Sequence, residues 1–283
     1  MFTSILNRLC RQKARAKNEG VIAEPSLGPE FSRGTRFAKT YPRPQEELHA
    51  VANWMTQNSL ESYVKAHHSG RGIWKWQHYF EVYERHFHKF IGKPVNVLEI
   101  GVYSGGSLDM WRHYFGPQCR IFGVDIAPEC KAYESNGIKI FVGDQADRQF
   151  WSQFKRSAPR IDVLIDDGGH QPEQQIITLE EMLPHLALGG IYVCEDIHID
   201  TNPFAAYIAA LCMNLNAWNI RRETDLSVSP SPFQSTIHSI HSYPFVTVIE
   251  KRDKIIDLFT APRRGTEWQP FYDDRHSLLK KGL

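Results

Sequence analysis

From residue 95 onward, the chain alternates between short apolar runs and segments whose apolar residues recur every three or four positions. The apolar runs predict buried β-strands at Val95–Ile100, Arg120–Asp125, Ile138–Val142, Ile161–Ile165 and Ile191–Cys194. The periodic segments predict α-helices at Ser107–Phe115, Arg148–Arg156, Pro172–Leu186 and Phe204–Trp218, with Gly189-Gly190 ending the third. A closing β pair is predicted at Ser235–Ser242 and Phe245–Lys251. Strands that alternate with helices predict an α/β fold, with a doubly wound, mostly parallel sheet covered on both faces.

The first 92 residues follow a different pattern. Residues 1–20 are basic, and residues 20–45 are rich in Pro and Gly, so residues 1–45 are predicted to be a flexible N-terminal segment and linker. A transit peptide or a helix lying on a membrane surface is the alternative for the basic stretch. Helical spacing at Glu46–Val64 and Trp74–Phe90 predicts a short helical extension over residues 46–92. The α/β domain is then expected over residues 93–283.

Composition and charge exclude several classes of protein. The chain has 283 residues with 33 basic and 32 acidic side chains, and this balance disfavours binding to nucleic acid. No apolar run is long enough to span a membrane. The five cysteines form no C-x-x-C pair, which disfavours a zinc ribbon or a disulfide framework and favours a cytoplasmic location.

Carboxylates stand at the end of every predicted parallel strand. They are Glu99, Asp125, Asp144, the pair Asp166-Asp167 and the pair Glu195-Asp196. Because the carboxyl ends of parallel strands meet at one edge of a sheet, these acids are expected along one rim, where ligands of such sheets bind. Neighbouring acids repel one another, so we expect this rim to hold a ligand that is cationic or rich in hydroxyl groups.

The loop after the first strand indicates what that ligand is. Gly101 and Gly105 allow close backbone approach, but the spacing is not G-x-G-x-x-G, and Glu99 would repel a diphosphate while attracting an ammonium group. Asp125 is placed to accept hydrogen bonds from ribose hydroxyls, and Asp144 from an adenine amine. A nucleoside that carries a positively charged amino acid has these features, and S-adenosylmethionine is such a molecule.

The same stretches resemble a known family. Residues 98–102, 105–107, Trp111 and 123–126 are similar to class I S-adenosylmethionine-dependent methyltransferases. Residues 141–145, 165–170 and 192–196 resemble, more specifically, the metal-dependent sugar O-methyltransferases of macrolide biosynthesis, as does the upstream pair Lys75-Trp76. The resemblance covers roughly residues 72–200 and implies a Rossmann-like methyltransferase sheet. It implies cofactor contacts from Lys75, Glu99, Gly101, Gly105, Ser107, Asp125, Asp144, Gln145 and Asp166, with Lys75 pairing with the methionine carboxylate.

The two acidic pairs also predict a metal centre and a base. Asp167, Glu195 and Asp196 end adjacent strands, and oxygen ligands without a nearby cysteine favour Mg²⁺ or Mn²⁺ over zinc. His170 follows Asp167 by three residues and is the candidate catalytic base that removes a proton from a hydroxyl group. Successive strand residues face opposite ways, so Asp166 is expected on the cofactor side when its neighbour Asp167 faces the metal.

These observations predict an O-methyltransferase that transfers a methyl group from S-adenosylmethionine to a hydroxyl of a small molecule, with a divalent metal. A sugar of a glycosylated natural product or saccharide is the expected acceptor, and a homo-oligomer is expected. A catechol-type diol methyltransferase and a cephalosporin hydroxylase-like enzyme are alternatives within the same fold. An NAD-dependent oxidoreductase and an inactive methyltransferase fold that binds a partner are alternatives from other classes. His198 is a further candidate for the acceptor pocket.

Overall fold

A computed structural model describes residues 28–40, 59–197, 203–217, 222–224, 227–262 and 264–265. The predictions for residues 1–27, for His198 and for most of the C-terminal tail lie outside these ranges. The chain divides into two units, residues 1–54 and 55–283. In the first, the helix α1 spans Gly28–Lys39, where a linker was predicted. Pro29 occupies its first turn, a position at which proline favours a helix.

The second unit is built on a seven-stranded sheet with the order β3-β2-β1-β4-β5-β9-β8. Its strands are β1 (Asn96–Ile100), β2 (Arg120–Asp125), β3 (Ile138–Val142), β4 (Ile161–Asp166), β5 (Leu186–Cys194), β8 (Ile237–Tyr243) and β9 (Val246–Lys251). The strands β1 to β5 run parallel to one another. Beyond them, β9 pairs antiparallel with β5, and β8 pairs antiparallel with β9. A three-stranded sheet contains β6 (Arg222–Thr224), β7 (Ser227–Val228) and β10 (Phe259–Thr260). The predicted doubly wound, Rossmann-like sheet is confirmed.

Helices cover both faces of the large sheet. They are α2 (Ser59–Ala66), α3 (Tyr79–Phe87), α4 (Gly106–Phe115), α5 (Arg148–Ser157), α6 (Pro172–Met182), α7 (Pro203–Leu215) and α8 (Pro232–Thr236), with 3-10 turns at His88–Phe90 and Pro128–Tyr133. Within the described ranges, none of the helices is both long and apolar enough to cross a bilayer.

Alternation along the strands separates two hydrophobic cores. Val97, Ile165 and Val193 face the core that contains Tyr83 and Trp111, from α3 and α4. The intervening residues of the same strands, among them Leu98, Leu164 and Tyr192, face a second core formed with α5, α6 and α7. A residue's position in its strand therefore decides which side of the sheet it reaches.

Two predicted elements differ in the structure. The segment Trp74–His78 is not helical, and α3 begins only at Tyr79. The predicted cap Gly189-Gly190 lies inside β5, which starts at Leu186. Gly189 has a φ of +73°, and the register between β4 and β5 shifts between Ile161 and Val163, so the glycine accommodates an irregularity at the start of the strand.

A polar pair joins α3 to the antiparallel strands. The ring nitrogen Nδ1 of His86 lies 2.5 Å from Oε1 of Glu250, and its Nε2 lies 2.9 Å from the hydroxyl of Tyr243. The hydrogen bond with His86 lowers the pKa of Glu250, and the positive charge of Lys89 acts in the same direction. The ionised carboxylate thus stabilises the folded chain.

We expect Glu250→Gln to lower the free energy of unfolding by about 1–2 kcal/mol at neutral pH, allowing for solvent screening. Because the folded state depresses this pKa, the stabilisation is present above the unfolded pKa of about 4.3 and is lost as the pH falls through the lower folded value. Urea denaturation at several pH values measures it. Glu81→Gln, which removes an exposed pair with Arg85, is the control and should cost less than about 0.5 kcal/mol. An equal loss of unfolding free energy in both variants would contradict a stabilising role for the Glu250 carboxylate.

Candidate methyl-transfer site at the carboxyl edge of the sheet

The strand order reverses at β1, which has β2 on one side and β4 on the other. At such a point the connections that follow the neighbouring strands run to opposite faces of the sheet, so a crevice opens beyond the carboxyl ends of these strands. The structure has a cavity of about 780 Å³ there. Its walls come from the segment 72–79, from the loop after β1, and from the residues that follow β2, β3, β4 and β5.

The strand register brings the acidic ends together. Ile100 pairs with Asp166, and Asp166 pairs with Cys194, so the next residues along these strands, Gly101, Asp167 and Glu195, form a row across the edge. The backbone nitrogen of Asp167 donates to Ile100, and that of Glu195 donates to Asp166, at 3.0 and 2.9 Å. The predicted convergence of the acidic pairs therefore follows from ordinary parallel pairing.

The loop after β1 passes very close to the end of β4. Gly101 has a φ of +89°, and a Cβ on it would lie 2.0 Å from the backbone oxygen of Asp167. Gly105, with a φ of +75°, precedes α4, and a Cβ there would meet the ring of Tyr133 at 2.9 Å. Both positions require glycine, for backbone conformation and for space. Gly101 lines the cavity, whereas Gly105 shapes the turn behind it.

Asp125 and Asp144 lie on the wall formed by β2 and β3. The carboxylate of Asp125 accepts hydrogen bonds from the backbone nitrogens of Tyr103 and Ala127, at 3.0 and 2.9 Å. These two bonds fix its orientation beside the cavity. Asp144 also lines the cavity, and its side chain accepts from the nitrogen of Ala146 at 2.8 Å. Both acids are thus positioned to meet a nucleoside.

Lys75 lies in the cavity wall, among three carboxylates. Its ammonium group is 2.7 Å from Asp167 Oδ2, 3.1 Å from Glu195 Oε2 and 3.4 Å from Glu99 Oε1, and its side chain is 3% exposed. Burial favours the neutral amine, but the three carboxylates outweigh it and raise the pKa of Lys75 well above its usual value. Three protein carboxylates surround the ammonium, and Lys75 also lines the cavity, so its predicted pairing with the methionine carboxylate stays a prediction.

Glu99 is buried behind the cavity wall. Its Oε2 accepts from the hydroxyl of Ser107 at 2.7 Å, and its Oε1 has no hydrogen-bond partner within the described part of the chain. Burial raises the pKa of Glu99, although Lys75 opposes the shift. Ser107 lines the cavity directly. The pair therefore places a buried carboxyl group below the loop that follows β1.

Asp166 does not reach the cavity. It follows Leu164 by two residues, so it faces the second core, where Gln145 and Tyr192 donate to its carboxyl group at 3.0 and 3.2 Å. Burial raises the pKa of Asp166 to about 7. Its predicted cofactor contact is corrected to a structural one. Gln145 lines the cavity and also accepts from the nitrogen of Gly169 at 2.7 Å, which ties the loop after β4 to the loop after β3.

Three potential metal ligands converge at the other end of the cavity. Single ligand atoms of Asp167, His170 and Asp196 all lie within 4.8 Å of one another, and all three side chains are half-buried. The Nε2 atom of His170 is 3.6 Å from Asp196 Oδ2 and 3.9 Å from Asp167 Oδ1. Oxygen donors with one imidazole suit a hard divalent cation such as Mg²⁺ or Mn²⁺.

Glu195 is adjacent to this cluster but more deeply placed. Its Oε1 accepts from the hydroxyl of Tyr83 at 2.6 Å, and its Oε2 faces Lys75. Burial and the charge of Asp167 raise the pKa of Glu195, while Lys75 and Tyr83 oppose the shift. Its predicted role as a metal ligand stays a prediction, which requires Lys75 to release one of its oxygens.

The sequence interpretation missed the side chains that hold Asp196. Trp76 Nε1 and the hydroxyl of Tyr79 donate to Asp196 Oδ1 at 3.0 and 2.7 Å. Both residues belong to the segment Trp74–Phe90, whose spacing predicts only a helix. The signal that the sequence offered for these contacts was the pair Lys75-Trp76, a polar side chain and a large amphipathic one shortly before α3.

Comparisons with known proteins agree with this geometry. Residues 98–197 match the family model of a methyltransferase domain. The chain is 38% identical to the 8-demethyl-8-(2-methoxy-alpha-L-rhamnosyl)-tetracenomycin-C 3'-O-methyltransferase of Streptomyces olivaceus over 44% of this chain and 33% of that protein. It is 37% identical to the mycinamicin VI 2''-O-methyltransferase of Micromonospora griseorubida over 41% of this chain and 30% of that protein. The matches thus cover about a third of the length of these relatives.

Solved structures show the same likeness. MycE methyltransferase from the mycinamycin biosynthetic pathway, in complex with Mg, SAH and mycinamycin VI, superposes with a TM-score of 0.56 at 26% identity, over 69% of this chain and 53% of that one. The matched family region begins in β1 and ends just after Asp196, so it contains the acidic strand ends described above. Residues 98–197 therefore match a methyltransferase domain, and the chain is similar to the sugar O-methyltransferases of macrolide and tetracenomycin glycosides.

Proposed function

We propose that the chain is an S-adenosylmethionine-dependent O-methyltransferase that uses a divalent metal and acts on a sugar hydroxyl of a glycosylated small molecule. The observation that carries this proposal is the single cavity with two chemically distinct ends. Asp125 and Asp144 lie at one end, the cluster of Asp167, His170 and Asp196 lies at the other, and the Gly101 loop lies between them. A donor and an acceptor can therefore meet within one enclosure.

The donor end fits the chemistry of S-adenosylmethionine. The oriented carboxylate of Asp125 suits the two ribose hydroxyls, and that of Asp144 suits the adenine amine. Glu99 lies beneath the loop where a positively charged amino acid would be placed, and its Oε1 is 3.4 Å from the ammonium of Lys75. A carboxyl group at this position, although it is paired with Lys75, is a poor neighbour for a diphosphate, and hence for a nicotinamide dinucleotide.

The acceptor end fits a metal and a base. Asp167 keeps Oδ1 toward the cluster, because Lys75 holds its Oδ2, and Asp196 keeps Oδ2 toward His170. Asp167 and Asp196, with Glu195 as the predicted third acid, would hold Mg²⁺, which would lower the pKa of a bound hydroxyl group and orient its oxygen. Tyr79 and Trp76 fix the orientation of Asp196, so the chain presents a pre-arranged site.

His170 is the residue that moves the proton. Its Nε2 atom faces Asp167 and Asp196, which stabilise the imidazolium that forms when the ring accepts the proton of the acceptor hydroxyl. The freed oxygen forms a bond to the methyl carbon of the sulfonium donor, and the carbon–sulfur bond breaks with its electron pair going to sulfur. The chain's main contribution is to hold the two reactants in line, since alignment alone supplies a large part of such rate enhancements.

The acceptor class rests on the relatives. The named activities of the relatives above are methylations of hydroxyls on rhamnosyl or macrolide sugars. A sugar diol is also a natural chelate for the cluster, as a catechol is. We place the chain in the cytoplasm, because the four cysteines among the described residues are free thiols. A homo-oligomer remains our expectation for its assembly.

Isothermal titration with S-adenosylhomocysteine tests the donor end. We expect Asp125→Ala to weaken binding by about 10–100-fold, because each hydrogen bond to a charged group contributes about 1.5–3 kcal/mol. Glu129→Gln changes an exposed acid just after β2 that does not line the cavity, and it should leave affinity unchanged. Binding of NAD in place of S-adenosylhomocysteine, or equal affinity for the two variants, would contradict the proposal.

A further inference from the structure

A second group of potential metal ligands lies apart from the methyl-transfer site. Single ligand atoms of His86, His241 and Glu250 all lie within 4.8 Å of one another. His86 belongs to α3, His241 to β8 and Glu250 to β9, so three elements of the fold meet there. These three residues do not line the cavity described above. The proposed methyl transfer therefore gives no role to this group, which we call the histidine cluster.

The ligand chemistry of the histidine cluster differs from that of the acidic strand ends. Two imidazoles and one carboxylate are a ligand set that suits Zn²⁺, which binds four ligands in a tetrahedral arrangement and can take water as the fourth. Mg²⁺ prefers oxygen ligands and octahedral geometry. The described part of the chain thus offers two sets of ligands that favour different ions.

Hydroxyl groups hold both imidazole rings at Nε2. The hydroxyl of Tyr243 lies 2.9 Å from Nε2 of His86. The hydroxyl of Ser239 lies 2.9 Å from Nε2 of His241. A histidine that binds a metal ordinarily has its other ring nitrogen held by a hydrogen bond, which fixes the orientation of the ring. Both rings can therefore offer Nδ1 to an ion, and Nδ1 of His86 already faces Glu250.

A small movement of Glu250 opens the position for the ion. Its Oε1 is 2.5 Å from Nδ1 of His86, a distance that a single proton spans. Bonds of about 2.0 Å to a tetrahedral ion set the ligand atoms about 3.3 Å apart, so the carboxylate must move by about 1 Å. The side chain of Glu250 is 20% exposed, which gives it room to do so. The ammonium of Lys89 is directed elsewhere, since it donates to the backbone oxygen of Gly189 at 2.9 Å.

We propose that the histidine cluster is a structural Zn²⁺ site that fastens α3 to the strands β8 and β9. The site is independent of the proposed methyl transfer, but it lies on a helix that serves both. Tyr79, Tyr83 and His86 follow one another at intervals of four and three residues, so they share one face of α3. The two tyrosine hydroxyls donate to Asp196 and Glu195, at 2.7 and 2.6 Å. An ion bound at His86 therefore steadies the helix that orients both acids.

Zinc titration of the full, untagged chain tests the site. The chain is first freed of metal with a chelator, and excess Mg²⁺ is then kept present to compete for the acidic strand ends. Isothermal titration should show that Zn²⁺ binds the unmodified chain with a Kd of about 1 µM or tighter. Zn²⁺ at about 100 times Kd should raise the Tm by about 5 °C. Co²⁺ in place of Zn²⁺ should give the visible absorption of a tetrahedral complex.

Variants of the cluster and of its surroundings separate this site from others. His241→Asn should weaken Zn²⁺ binding by about 100-fold or more, because even the outer partners of metal ligands contribute about 10–100-fold. Glu250→Gln removes the carboxylate ligand and should have the same effect. His238→Asn changes an exposed histidine of the same strand and should leave the affinity unchanged. Circular dichroism of the metal-free variants verifies that each is folded.

Three results would overturn the zinc site. They are no binding of Zn²⁺ by the unmodified chain, unchanged affinity in His241→Asn and Glu250→Gln, and loss of the Zn²⁺ binding in Asp167→Asn alone. The last result would place the ion at the acidic strand ends. None of them bears on the proposed methyl transfer, which stands on the binding of S-adenosylhomocysteine and Mg²⁺ at the cavity.

Discussion

Asp167→Asn is expected to lower kcat/KM for methyl transfer by about 10³-fold or more, the scale of the stabilisation that a catalytic metal supplies. The substitution keeps the shape of the side chain but removes the charge that faces both His170 and Lys75. It also leaves the ammonium of Lys75 with one fewer carboxylate. The affinity for Mg²⁺, measured by isothermal titration, should fall together with the activity.

Asp162→Asn is the matched control for this experiment. Asp162 lies on the same strand, at the opposite end, where its carboxylate accepts a hydrogen bond from the backbone nitrogen of Asn96. Its loss should affect stability but not Mg²⁺ affinity. Activity of Asp167→Asn within about 10-fold of the unmodified chain would show that the proposed metal centre is not used, since the loss of catalytic metal binding costs far more.

His170→Asn is expected to lower kcat by about 10²–10⁴-fold, the contribution of a positioned general base. Asparagine tolerates the positive φ of this position, so the loop should keep its conformation. Affinities for S-adenosylhomocysteine and Mg²⁺ should change little compared with the effect on kcat. Free imidazole added to the variant should restore part of the rate, because it supplies the missing proton acceptor.

His88→Asn provides the comparison for the histidine base. His88 lies in the 3-10 turn after α3, and among the described residues its ring contacts backbone oxygens of α3, those of Glu84 and Arg85. Its kcat should equal that of the unmodified chain. If His170→Asn were as active as His88→Asn, or if imidazole had no effect on an inactive but folded variant, His170 would not be the base.

The acidic strand ends were predictable because they depend on local rules alone. Apolar runs fix where the parallel strands end, and parallel pairing then brings those ends to one edge. The positions of Asp125, Asp167 and Asp196 at the cavity required nothing further. The sequence also predicted that Gly101 and Gly105 lie in the turn after β1. In the structure each has a positive φ and a closely packed neighbour.

The contacts of Lys75 and Asp166 could not be read from the sequence. Asp166 and Asp167 are adjacent, and only the packing of β4 decides that Asp166 meets Gln145 and Tyr192 on the covered face. Lys75 reaches Asp167 across 92 positions of sequence, a contact that no local pattern encodes. Lys75 also lies before the matched region, which begins at residue 98. The position of Lys75 depends on how α3 packs against the sheet.

The segment before α3 shows a limit of periodicity. Aromatic residues at intervals of three and four favour a helix, and that signal extends back to Trp74. The side chains of Lys75 and Trp76 instead contact carboxylates at the end of β5, and these tertiary contacts prevail over the weak local preference for a helix.

A crystal structure of the chain with S-adenosylhomocysteine and Mg²⁺ tests the central claim most directly. The account predicts one metal ion bound by carboxylate oxygens of Asp167 and Asp196, with His170 beside it. It also predicts the nucleoside against Asp125, with its sulfur directed toward the ion. A metal ion bound away from Asp167 and Asp196, or a nucleoside outside the cavity, would contradict it.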